Sequence, residues 1–118
     1  MKSAKEYHYT NQSGCYDRRD GVTDKETYAE LMGAFKTMGI TAENQSNCFD
    51  VVAAVLALGN MSFEEIAGAK DDQPQAKITG ASQPYLETVA KLLGTQSSDV
   101  VTSLTSRQVT AGLNHQVK

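Results

Sequence analysis

Between Asp50 and Gly59-Asn60 runs an unbroken series of eight apolar residues, Val51 to Leu58, and it limits the possible folds more than any other feature of the sequence. It is far too short to span a bilayer, which takes roughly 18–20 apolar residues. It is also too apolar all round to be a surface helix with one wet face. Thr41 stands ahead of it as an N-cap and Glu43 falls in the first turn, while Gly59-Asn60 closes it. The segment therefore reads as a buried helix. Cys48, Phe49, Val52, Val55 and Leu56 recur at helical spacing and are expected to form one core stripe, with Val51, Ala53, Ala54 and Leu58 widening it.

A buried helix needs partners, and the sequence offers three. Thr23 and Glu26 form a capping box, in which hydroxyl and carboxylate satisfy two orphan amides reciprocally. Behind it Tyr28, Leu31, Met32, Phe35 and Met38 share a face, and Gly39 stops the helix. Ser82-Gln83-Pro84 opens another helix with the face Leu86, Val89, Ala90 and Leu93, ended by Gly94. Ser97 or Ser98 can cap a short last one carrying Val100, Val101 and Leu104. Before the first helix, residues 1–22 read as a polar lead, the aromatic cluster Tyr7-His8-Tyr9 and a loop. Met61-Ser62-Phe63-Glu64 suits a short strand, with Ala76-Lys77-Ile78-Thr79 as its partner across the loop 64–75. From Arg107 onward Val109, Ala111, Leu113, His115 and Val117 alternate with polar residues around Gly112, which reads as extended chain or a loose hairpin. The fold class is mainly α: a bundle of about four helices with short β-hairpin or extended additions, as a single unit over residues 1–118.

Function classes can be excluded next. With 40% hydrophobic and 21% charged residues the chain is not disordered by composition. A net charge of −3 supplies no basic field, so neither nucleic acid nor an anionic membrane is an expected partner. The start, Met1 to Glu6, leads into no apolar stretch of the secretory type, so a cytoplasmic setting with Cys15 and Cys48 reduced is expected. No Gly-x-x-x-x-Gly-Lys-Ser/Thr string cradles a phosphate and no Gly-x-Ser-x-Gly string carries a nucleophile. His8 lies between two tyrosines as part of a packed cluster, and His115 lies in a polar segment. Glu64-Glu65 and Asp71-Asp72 read as solvated loop. No catalytic, cofactor-binding or metal-ligating residue is predicted.

Several strings together resemble the myosin motor head. Tyr7-His8-Tyr9-Thr10-Asn11-Gln12-Ser13-Gly14-Cys15 comes first, followed by the helix end Phe35-Lys36-Thr37-Met38-Gly39-Ile40. The stretch Phe49 to Asn60 with Phe63, then Leu92-Leu93-Gly94 and Leu104-Thr105-Ser106-Arg107, continue the likeness in order and spacing. One departure is Ala57, where the family commonly has histidine. The resemblance covers nearly the whole chain and implies the upper fifty-kilodalton subdomain, between switch I and switch II. It implies that the P-loop and switch I lie before residue 1 and switch II after residue 118, so that MgATP belongs to the parent motor and the piece alone is inactive. It further implies a cytoskeletal setting, with the actin filament and the remaining head subdomains as partners. The segment Arg107 to Lys118 would then be the actin-contacting loop at the cleft's upper lip, through Arg107, Gln108, Val109, Thr110, Gly112, Asn114, His115 and Lys118. Asn114 stands where many members carry an acidic or phosphorylatable residue, so charge-switched regulation is not expected there. The alternative from another class is a free-standing helical interaction module without catalysis.

Overall fold

Thr23 starts the first long helix as its sequence predicts. Its hydroxyl accepts from the Glu26 amide at 3.2 Å, while its own amide donates to the Glu26 carboxylate at 2.8 Å. The computed structural model describes residues 2–17, 20–66 and 75–106. Within them the order is a one-turn helix α1 (His8–Asn11), α2 (Asp24–Thr37), α3 (Ala42–Leu58), strands β1 (Phe63–Glu65) and β2 (Ala76–Ile78), α4 (Gln83–Leu93) and α5 (Ser97–Thr105). Short 3₁₀ turns at Ala4–Glu6 and Gly80–Ser82 precede α1 and α4.

The four expected helices are present, and their ends follow local chemistry. Gly39 sits at φ 70° just past α2, where the Ile40 amide reaches back to the Phe35 carbonyl at 2.9 Å. The Thr41 hydroxyl accepts from the Asn44 amide to cap α3. Gly94 ends α4 in the same left-handed way, at φ 65°. At α5 the expected serine cap is corrected: Gln96 is the N-cap, with no side-chain bond, and Ser97 is already helical. Asp99 in the first turn lies favourably on the helix dipole. The hairpin pairs Phe63 with Ile78, Glu64 with Lys77 and Glu65 with Ala76, antiparallel. Its ion pair, Lys77 Nζ to Glu64 Oε1 at 3.2 Å, is exposed on both sides and contributes under about 1 kcal/mol. The turn α1 was not expected; the sequence there suggested an aromatic cluster and a loop.

The core lies where the end of α3 meets α4 and α5. Ala57, Met61, Leu86, Val89, Ala90 and Val100 are buried together, with Leu58, Ile78, Tyr85 and Val101 packed around them. This corrects the stripe expected on α3. Its buried residues are Ala54 and Ala57, whereas Val52 is 55% exposed, Val51 and Val55 are about as exposed, and Phe49 and Leu56 are half-buried. The reason is close approach: the small Ala57 side chain lets α4 come near, and the valines are left on other faces. α2 has no buried residue. It touches α3 through rings, with Tyr28 5.7 Å and Phe35 6.2 Å from Phe49 between centroids.

Candidate functional site

The eight residues assigned to the actin-contacting loop, Arg107, Gln108, Val109, Thr110, Gly112, Asn114, His115 and Lys118, lie outside the described residues. The structure does describe the root from which they leave. α5 is anchored by buried Val100 and half-buried Val101, which join the core beside α4 and the hairpin's Ile78. At its end the backbone turns extended at Ser106, φ −135° and ψ 150°, while the Ser106 amide and hydroxyl both donate to the Thr102 carbonyl, at 3.0 and 2.6 Å. The described backbone thus ends α5 at an extended Ser106 that is tied back to the helix.

Just past the C-terminal end of α3, beside the core, the structure gathers residues that sequence reading did not bring together. Asn60, expected only as part of a helix stop, holds the N-terminal segment. Its Oδ1 accepts from the His8 backbone amide at 2.7 Å, and its Nδ2 donates to the Glu6 carbonyl at 2.7 Å. Tyr7 between them is buried. The Tyr9 ring lies on Gly59 so closely that a Cβ there would fall 2.6 Å from two ring carbons. Gly59 is needed for this approach and not for its backbone angle, since its φ is −62°. Nothing in the local sequence announces a contact that spans fifty-two residues.

Lys2 completes the assembly. Its amide donates to the Tyr7 hydroxyl at 3.3 Å and its ammonium to the Tyr85 hydroxyl at 3.1 Å, with the ammonium 4.9 Å from the Tyr85 ring centre. These contacts raise the Lys2 pKa, chiefly through the hydrogen bond to Tyr85. The same bond, followed by one from Asn60, lowers that of Tyr85. A hollow of about 400 Å³ opens beside Asn60, lined also by Glu6, His8, Asn11, Ser62 and Tyr85. A larger one of about 640 Å³ lies between the N-terminal segment and the start of α2, bordered by Thr10, Cys15, Tyr16 and Asp24. Both are open to the surface. Among the described residues no three His, Cys, Asp or Glu side chains converge on a metal position. Both cysteines are free and exposed.

Such an arrangement fixes one segment against another. Comparison with known proteins gives that geometry its context. Residues 1–118 match the family described as myosin head (motor domain). The chain is 36% identical over its whole length to the Myosin-J heavy chain of Dictyostelium discoideum, of which it covers 5%. It is 36% identical over 95% of its length to the Myosin IB heavy chain of the same organism, and 35% identical over 92% to Myosin-3 of Arabidopsis thaliana. It covers 9% of each of these two. With the family matched from end to end, the chain belongs to the myosin heads.

Proposed function

We propose that the chain is the part of an actin-based, ATP-driven motor head lying between the two nucleotide switches, in the upper fifty-kilodalton subdomain. The observation that carries this is the match of all 118 residues to the myosin head family. In this role the helices couple movements at the nucleotide site to one lip of the actin-binding cleft. Packed helices suit the task, because a close-packed core transmits a displacement that a loose segment would absorb. The core shared by the end of α3, α4 and α5 is the rigid element, and α5 is the arm that presents residues 107–118 to actin. The motor works in the cytoplasm on the cytoskeleton, alongside the other head subdomains.

MgATP belongs to the parent motor. The chain's own residues do not fit it, since no string of the phosphate-cradling type occurs in the sequence, and no step of hydrolysis is assigned to them. The second reading, a free-standing helical interaction module, is favoured by the exposed apolar side chains Tyr28, Leu31, Val51, Val52 and Val55 on α2 and α3. The reading frame around the chain separates the two. A P-loop upstream and a switch II Asp-x-x-Gly string downstream establish the motor, and the absence of either ends that reading.

The loop is tested in the intact motor by Arg107→Glu. Actin's surface is acidic, so the reversed charge should weaken actin affinity, more at low salt than at high, because exposed charge contacts are screened. ATP turnover without actin should stay near its unmodified rate. If actin affinity and its salt dependence both keep wild-type values, Arg107 is not at the interface.

A further inference from the structure

The carboxamide of an asparagine is chemically a peptide group, with one acceptor and a donor side by side. In this chain Asn60 uses it as one. It bonds the carbonyl before Tyr7 and the amide after it, both at 2.7 Å, as an adjacent strand would. No other residue type at this position reproduces the pair: aspartate lacks the donor, glutamine is a methylene too long, and alanine has neither group. The His8 amide is the first of α1 and has no partner within that helix, so the Asn60 oxygen satisfies an otherwise orphaned donor. Tyr7 is buried between the two bonds, and the Tyr9 ring closes over Gly59. Lys2, reaching Tyr85 on α4, ties the same segment to a second helix.

We propose that Asn60 is the positioning residue of a backbone clamp that fixes residues 6–8 on the junction of α3 and α4, so that the N-terminal segment and the helical core move as one body. The mechanical purpose rests on the motor reading above, because there a displacement from the nucleotide site enters ahead of residue 1 and leaves through α5. The clamp itself does not rest on it. A segment tethered only at its chain ends would take up such a displacement by local rearrangement, whereas one held at both sides of a buried tyrosine hands it on to the core.

The surgical variant is His8→Pro. It removes the one N–H that Asn60 accepts, yet proline suits the first position of a helix, and Tyr7 at φ −106° and ψ 130° already has the backbone a following proline requires. His8→Ala is the control for the ring. Millisecond hydrogen exchange on the full chain reads the Thr10 and Asn11 amides, which bond the Tyr7 carbonyl, with the amides of α4 as the fold reference. His8→Pro and Asn60→Ala should each speed exchange at these amides by roughly 2- to 12-fold, the range of one net hydrogen bond, and the double variant should add little. His8→Ala should leave it near wild type. If His8→Pro exchanges like His8→Ala, the clamp is overturned, whether or not Asn60→Ala folds.

In the intact motor, His8→Pro should reduce the activation of ATP turnover by actin while turnover without actin keeps its rate. Faster exchange with activation unchanged overturns the mechanical purpose and leaves the clamp. A wild-type head showing no activation by actin would instead overturn the motor reading, with the exchange result standing by itself.

Discussion

At Gly59 two effects of opposite sign compete within one residue. Its φ of −62° is ordinary helix, where replacing glycine by alanine is worth about 0.4–1 kcal/mol by restricting the unfolded chain. Against this, the new Cβ would meet the Tyr9 ring at 2.6 Å, and overpacking of that kind costs about 1–3 kcal/mol. The clash should win, so Gly59→Ala is expected to lose about 1 kcal/mol in urea unfolding. Gly33 is the control, since its Cβ would enter open space in the middle of α2 and Gly33→Ala should gain up to about 1 kcal/mol. Both midpoints rising would show that the ring does not rest on Gly59. Charge at the helix caps follows the same residue-level logic. The Glu26 carboxyl lies below its ordinary 4.5 because the Thr23 amide, then its hydroxyl, donate to it, and Ser3 does the same for Glu6. A carboxyl held low in the folded state gives stability that is complete above its unfolded value and is lost as pH falls through the folded one. Helicity should therefore drop on acidification below about 4.5. Glu26→Gln, which can keep the box without the charge, should flatten part of that drop in far-ultraviolet dichroism. Identical acid profiles for the two proteins would remove the box from the account. The capping box was legible because its partners are three residues apart; the Asn60 clamp was not, because its partners are fifty-two and fifty-four apart.

Elements were legible where their signals are local. Gly39, Gly94 and Pro84 set helix ends by their own backbone preferences and Thr41 by its hydroxyl, and the helices begin and end beside those residues. The buried side of α3 was not legible, because Val51 to Leu58 is apolar on every side and only the docking of α4 chooses among them. The choice fell on alanine, which a reading by bulk would rank last. Two substitutions separate the faces. Leu86→Ala, at 3% exposure in the core, should cost about 2–5 kcal/mol. Val52→Ala in this chain should cost under about half a kcal/mol, as for a surface position. A Val52 variant losing as much as the Leu86 variant in urea midpoint would return the stripe to the core. The assignment of residues 107–118 as an actin-contacting loop rests on the resemblance to the family alone; the residues by themselves read as an alternating, polar segment.

For the whole molecule, the family and the absent phosphate-cradling string together make a prediction about nucleotide. Titrating MgATP into the chain by calorimetry should give no saturable heat, because the sequence holds no string of the kind that positions the phosphates and balances their charge in phosphoryl transfer. A micromolar site would contradict the assignment of the nucleotide to other parts of the head. Among the described residues burial is concentrated at one end: Tyr7, Ala54, Ala57, Met61, Ser82, Leu86, Val89, Ala90 and Val100 are buried, and none of them lies in α2. Heat would therefore be felt unequally along this chain. α2, leaning on α3 through aromatic rings, can melt at little cost while the α4 region keeps its protection, since local opening follows the number of buried apolar contacts. Different probes would then report different melting temperatures, and no one enthalpy of unfolding would describe the chain.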